Sequence, residues 1–196
     1  MKFKSDIDID FSDRSQALSL LDHTPASINR DDKWIAHNTG VYVTDVPVDP
    51  FTGRASLDYE VAEERGYIKL DFLNVSLYTQ IKNDAYLTEL IDQEPEWDRL
   101  YDPEFCSKLI HIGNHYKTLI KMPEAVNSIP RMAMFLSVIR PAKRHLIGLP
   151  WAEVARTVWE KSSDGSYGFK KSHGVAYSHL VCVHMNLLTE QERYSV

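Results

Sequence analysis

The chain has 196 residues, 43% of them hydrophobic and 26% charged, values of an ordinary folded protein and far from the hydrophobic depletion of a disordered one. With 22 lysine and arginine residues against 28 aspartate and glutamate, the formal charge is −6, which excludes broad affinity for polyanions and requires any nucleic-acid contact to come from a local basic patch. The two cysteines, Cys106 and Cys182, lie far apart in apolar stretches that read as helix, so no zinc pattern arises and a reduced compartment is expected.

In chain order, Ser5 to Phe11 alternates strictly, with Asp6, Asp8 and Asp10 on one face and Ile7, Ile9 and Phe11 on the other, and predicts a half-buried strand. Ser12-Asp13 offers an N-cap for a short helix over Arg14 to Leu21. Residues 22–38 read as polar and irregular, Gly40 to Thr44 as a second strand, and Val46 to Gly53 as a turn. The charged stretch Glu60 to Arg65 reads as a connection into a third strand at Gly66 to Phe72. Helices are predicted over Val75 to Ile91 with a break near Asn83-Asp84, then over Pro103 to Ile110, Tyr116 to Met122, Pro130 to Ile139, Pro150 to Lys161 and His173 to Arg193. Strands thus crowd the first 75 residues and helices the rest, which makes the class α+β. The N-terminus is charged at once, and the longest largely apolar run, Met132 to Ile139, falls far short of a membrane span; a soluble cytoplasmic protein without membrane attachment is expected.

The acidic strand carries the first chemical signal. Carboxylates two residues apart on one strand project from the same face roughly 6.6 Å apart and need a cation or solvent between them. A pair of Mg²⁺ ions held by carboxylates of neighbouring strands is the usual solution in phosphoryl transfer, while an exposed, solvated acidic face is the plainer reading. Asp71 adds a third carboxylate near the end of a predicted strand, with Lys69 on its face. A carboxylate and an ammonium projecting together suit a metal and a phosphate side by side; a local ion pair is the alternative.

Ser5-Asp6-Ile7-Asp8-Ile9-Asp10-Phe11 resembles the Pro-Asp-Ile-Asp-Ile-Asp-Phe palm motif of the bacterial replicative C-family DNA polymerases, the α subunit of DNA polymerase III and its PolC relatives. Further stretches resemble the same family in the same order. Ala36-His37-Asn38-Thr39-Gly40-Val41-Tyr42-Val43 is similar to its Lys-His-Ala-Gly-Gly-Val-Val-Ile, and Gly66-Tyr67-Ile68-Lys69-Leu70-Asp71-Phe72-Leu73 to its Gly-Leu-Val-Lys-Phe-Asp-Phe-Leu. Ile139-Arg140-Pro141 is similar to part of its Phe-Arg-Pro-Gly-Pro. The stretch Tyr167-Gly168-Phe169-Lys170-Lys171-Ser172-His173-Gly174-Val175-Ala176-Tyr177 is similar to its Tyr-Gly-Phe-Asn-Lys-Ser-His-Ser-Ala-Ala-Tyr.

The resemblance implies a polymerase-β-like nucleotidyltransferase palm, a mixed sheet backed by helices, over residues 1–80, and a helical, reduced fingers-like region over 81–196, together one compact unit. It implies that Asp8, Asp10 and Asp71 are catalytic and bind two Mg²⁺ ions, or Mn²⁺. It also implies that Lys69 contacts the triphosphate and that Arg140, Lys171, Ser172 and His173 line the nucleotide pocket; Lys143 and Arg144 add basic charge beside Arg140. Phe11 and His37 stand only 26 positions apart, which leaves no room for the family's thumb. The expected activity is therefore distributive addition of dNTP or NTP to the 3′ end of a DNA primer, terminal transfer or priming, with a replication-protein partner or a second copy of the chain. Such economy of size would suit a phage protein acting in the host cytoplasm. The alternative is a non-catalytic polymerase-like module that binds a nucleotide, a DNA end or a replication protein.

Other candidates are weaker. His111 and His115 are four apart with Gly113 between them and no third ligand, which reads as a structural or exposed pair. His179 and His184 are five apart on the last predicted helix, off a common face. Trp97, Trp151 and Trp159 read as core, and Trp34, beside Lys33 in a polar stretch, as core or as a base-stacking residue.

Overall fold

In the computed structural model, which describes residues 7–30, 32–160 and 169–194, the alternating segment Ile7–Phe11 forms a strand, β1. Ser5 and Asp6 of the acidic motif, and Lys161, Tyr167 and Gly168 farther on, lie outside the described residues. The protein is α+β, and its chain divides into two compact units, Met1–Gln80 and Ile81–Val196.

In the first unit β1 is followed by α1 (Arg14–Ser19), where the Asp13 carboxylate caps the helix by accepting the Gln16 N–H at 3.0 Å. Then come β2 (Thr24–Arg30), β3 (Lys33–Tyr42), α2 (Tyr59–Glu64) and β4 (Leu70–Asn74). The strands form one sheet in the order β1-β4-β3-β2, with β1 parallel to β4 and the other two pairings antiparallel. A parallel pair needs a long crossover, and here the β2–β3 hairpin and α2 supply it.

The alternation in β1 sets the two faces. Ile9 and Phe11 join Leu70, Phe72 and Val41 on the face that Leu18 of α1 covers, and the Phe11 and Phe72 rings lie 4.6 Å apart between centroids. Tyr42 and Ala26 belong to a second cluster with Ala55 and with Ala62 of α2. Asp58 docks α2, accepting the Glu60 N–H as its cap and the Asn29 N–H of β2 at 2.7 Å.

Four expectations fail in this unit. Residues 22–38 are not irregular but supply β2 and most of β3. Trp34 and Ile35 remain 48% and 42% exposed there, so this hairpin rests on its backbone ladder more than on an apolar face that a sequence pattern would reveal. Glu60 to Arg65 is not a plain connection, because Tyr59 to Glu64 is α2; its only buried residue is Ala62, too thin a stripe to register as amphipathic. The third strand also sits later than predicted, at Leu70–Asn74, and the second ends at Tyr42.

The second unit is helical: α3 (Asp84–Asp92), α4 (Pro103–Lys108), α5 (Tyr116–Leu119), α6 (Ile129–Val138), α7 (Trp151–Thr157) and α8 (Lys171–Tyr194). Asn83 marks the predicted break by capping α3, accepting the Tyr86 N–H at 2.9 Å. Pro103 and Pro130 occupy first turns, where a missing N–H costs nothing, and Pro150 is the residue just ahead of α7. Met132, Phe135 and Leu136 of α6 and Val181 and Met185 of α8 belong to one buried core. Asn186 of α8 donates to the carbonyls of Leu90 and Gln93 at 2.9 and 2.8 Å, satisfying acceptors at the end of α3. Gly113 is required by close approach, since a Cβ there would stand 2.6 Å from the Ser107 carbonyl oxygen. Cys106 and Cys182 are buried, and burial pushes their thiols up to about 11 and about 12, which removes them as nucleophiles at neutral pH. No helix among the described residues is long and apolar enough to cross a membrane.

Phe135 is fully buried, so Phe135→Ala is expected to cost about 3–5 kcal/mol in urea unfolding. Burial holds His111 down to about 4 from 6.5 and lowers His184, so both stay neutral in the fold where the unfolded chain would protonate. Their contribution to stability is full above about pH 6.5 and is lost as pH falls toward about 4, measurable as a falling urea midpoint between pH 7 and 4.5. A midpoint constant over that range would contradict it.

Candidate functional site

The strand register decides which side chains meet. In the parallel β1–β4 pair Asp8 stands opposite Asp71, and Asp10 follows two residues along β1. Register partners project to the same face from strands roughly 4.8 Å apart, and residues i and i+2 share a face, so all three predicted carboxylates rise from one face of two adjacent strands. Lys69 precedes β4 by one residue, and its ammonium pairs with Asp71 Oδ2.

Asp71 is the deepest of the three, 8% exposed. Its second oxygen, Oδ1, accepts the Thr39 hydroxyl at 2.7 Å. Burial alone would push this carboxyl up, but the hydrogen bonds from Lys69 and Thr39 and the nearby Lys69 charge outweigh it and hold the group below its ordinary value. Thr39 reaches Asp71 because the β2–β3 ladder breaks: Pro25 pairs with Val41 and Ser27 with Ala36, so Ala26 alone faces the four residues His37–Gly40. The extra residues bulge and re-aim their side chains.

Within the bulge, His37 Nδ1 accepts the Gly40 and Thr39 N–H groups at 2.8 and 3.3 Å. Burial and the Lys69 charge lower its pKa, so His37 is neutral with its proton on Nε2, and its ring meets Tyr59 edge-on at 5.1 Å. Gly40, opposite Asp71 in the register, must lack a side chain: a Cβ would lie 2.7 Å from Lys69 Cδ and 2.9 Å from His37 Nδ1. Lys69 Nζ also lies 5.7 Å from the centre of the Tyr59 ring, within cation–π range. Arg14 of α1 donates from Nε to the Phe72 carbonyl at 2.9 Å, which ties the helix to β4 beside Asp71.

Asp10 acts on Tyr78: burial and this carboxylate raise the Tyr78 pKa. Carboxylate oxygens are donors that suit a hard divalent cation, but the face also carries the Lys69 ammonium, the Thr39 hydroxyl and, 3.7 Å from Asp71, the His37 imidazole. Among the described residues, however, no three or more His, Cys, Asp or Glu side chains are gathered as ligands, and the Asp71 oxygens are engaged by Lys69 and Thr39.

The remaining predicted residues belong to the second unit. Arg140 follows α6 and lays its guanidinium 4.6 Å from the centre of the Phe169 ring. Lys143 is buried, and its ammonium donates to the Thr157 carbonyl at 2.7 Å, bracing the 3-10 turn Pro141–Leu146 against the end of α7. Lys171 and Ser172 are exposed in the first turn of α8, and His173 is half-buried with its ring 6.0 Å from both Phe169 and Tyr177.

His111, read from sequence as structural or exposed, is held in a constrained backbone. Its φ of 64° lies in the left-handed region, and the Ile112 N–H donates back to the Ile110 carbonyl at 2.8 Å, closing a three-residue turn around it. A non-glycine residue so held costs about 1–3 kcal/mol and persists only where its surroundings enforce it. Here Ile112 is fully buried and the Ile110 N–H donates to His184 Nδ1 at 3.0 Å. The His111 ring stacks on Tyr177 at 4.5 Å.

Of the four tryptophans, Trp151 is buried, Trp97 and Trp159 pack against the same core, and Trp34 lines an open groove of about 370 Å³ with Val48, Phe51 and Arg54. Thr39, Tyr59 and Tyr78 escape sequence reasoning because no motif marks a hydroxyl or ring that serves a carboxylate many residues away.

Lys69→Met leaves a buried carboxylate without its cation and is expected to cost about 3 kcal/mol at pH 7, against about 1.5 kcal/mol for Thr39→Val. Urea unfolding of the two variants checks the order; a neutral Lys69→Met would show that Asp71 is not held as described.

In comparisons with known proteins, no family model, no curated protein and no solved structure matches this chain.

Proposed function

We propose that the chain is a metal-dependent nucleotidyltransferase that adds nucleotides to a 3′ end, with Met1–Gln80 acting as a palm-like catalytic region and Ile81–Val196 as a reduced fingers-like one. The observation that carries this reading is the register of Asp8 against Asp71, with Asp10 and Lys69 beside them. Asp8, Asp10 and Asp71 would hold the metal. Bound Mg²⁺ or Mn²⁺ supplies activation of the attacking 3′-hydroxyl and offsets charge on the leaving pyrophosphate. Lys69 can exchange its carboxylate partner for a phosphate oxygen, since an ammonium serves either as a point charge. Thr39 fixes the orientation of Asp71 through that exchange by keeping Oδ1 engaged. Arg140, Lys171, Ser172 and His173 would contact the nucleotide, and Lys143 would act indirectly by bracing the turn that follows Arg140. With no segment of thumb size between Phe11 and His37, synthesis would be distributive.

A second reading has a specific observation in its favour. The Lys69 ammonium pairs with Asp71 and offsets its charge directly, which supports a nucleotide- or DNA-end-binding module without turnover.

Extension of a labelled DNA primer with dNTPs or NTPs and Mg²⁺ or Mn²⁺ tests the first reading. The wild-type chain should incorporate nucleotide, and Asp71→Asn and Asp8→Asn should each lower the rate at least about a hundredfold. Equal incorporation by wild type and variants removes the proposed triad. Metal-dependent nucleotide binding in calorimetry with no incorporation would instead favour the second reading.

A further inference from the structure

Arg140 and His111 share an unusual condition. The Nε atom of Arg140 and the Nε2 atom of His111 are both buried, and neither has a hydrogen-bond partner. Buried polar groups are nearly always satisfied, and an orphaned pair in one neighbourhood asks for a common partner. The side chains are joined through aromatic rings: Arg140 lies over Phe169, Phe169 is 5.7 Å from Tyr177, and Tyr177 stacks on His111.

The described charges that act on His111 and His115 are positive. Among the described residues, Arg140 acts on His111, and Arg140 and Arg144 act on His115; in both cases the effect, after burial, is to oppose protonation. Among the described residues no carboxylate pairs with Arg140 or Arg144; the Arg144 Nε donates weakly to the Ile139 carbonyl at 3.5 Å. Two guanidiniums that no carboxylate among the described residues pairs with, beside an imidazole held in a strained turn, suit an oxyanion. A phosphate group fits best, because guanidinium donors match its oxygens and a neutral Nε2–H tautomer of His111 supplies a further donor.

We propose that Arg140 and His111, walled by Phe169 and Tyr177, form a phosphate-binding site within the second unit, with His111 as its second hydrogen-bond donor. The inference deepens the nucleotide-transfer reading at Arg140 and rests on it only there, since the site needs neither metal nor the carboxylate face of the first unit.

The test follows the histidine ring resonances of the labelled full-length protein by NMR, without divalent cations, at constant ionic strength set with NaCl. Inorganic phosphate, pyrophosphate and a nucleoside triphosphate are added in separate arms, with acetate as the carboxylate arm. An anion bound at Nε2 favours the imidazolium, so a tenfold preference raises the His111 titration midpoint by about one pH unit. The expected result is that rise, saturable with the phosphate ligands and absent with acetate, unchanged in Asp71→Asn and lost in Arg140→Gln. Preference for the triphosphate over inorganic phosphate identifies the nucleotide as the source. A His111 midpoint that phosphate does not move in the wild type, or moves equally in Arg140→Gln, overturns the proposal. Loss of primer extension in Asp71→Asn with the His111 response intact separates this site from the metal reading.

Discussion

Setting Asp8 against Asp71 in a parallel pair brings two carboxylates to neighbouring strands with a third two residues away, and like charges so close oppose the sheet that carries them. The surroundings answer with three different devices. Lys69 brings an ammonium to Asp71, Thr39 donates to its other oxygen, and the half-buried Tyr78 neighbours Asp10. Much of the first unit is arranged to deliver them. The bulge in β3 presents Thr39, Gly40 leaves room for the Lys69 stem, and Arg14 ties α1 to the β4 backbone beside the site. Apolar burial by Leu18, Val41 and Phe72 on the opposite face provides the stabilisation against which this acidic face is maintained.

The two units solve different physical problems. The first keeps charge close to a thin core of small and aromatic residues. The second builds a large apolar core around α6 and α8 and carries irregular backbone in the His111 turn and in the 3-10 turn after Arg140. Lys143 belongs to that second pattern. A buried lysine hydrogen-bonded to a carbonyl pays its desolvation for position, and its charge is spent inside the protein.

What was legible in the sequence follows from where the signal is local. The strict alternation of Ile7 to Phe11, the Asp13 cap, the Asn83 break and the prolines at 103 and 130 are each written within a few residues, and each marks an element that forms. The pairing of Lys69 with Asp71 needed only an i, i+2 spacing. The β2–β3 hairpin was not legible, because its pairing with exposed Trp34 and Ile35 is a property of the ladder. The α2 helix was hidden by its charges, with Ala62 as its sole buried residue. The His111 turn carries no glycine to announce its positive φ, and the partners of Asp71 and Asp10 come from separate segments, so contact across the fold, invisible to periodicity, decides both.

The four-residue bulge at His37–Gly40 has a consequence for how this chain can change. On either side of it the ladder between β2 and β3 is paired in register, and of its four residues only Gly40 is itself paired, with Asp71 of β4, so the length of His37 to Thr39 is not counted by the sheet. A residue added or removed there would shift the donors offered to Asp71 while Pro25 and Ser27 kept their partners. The chemistry of the carboxylate face and the integrity of the hairpin are therefore separable traits, and variation can explore one without first dismantling the other.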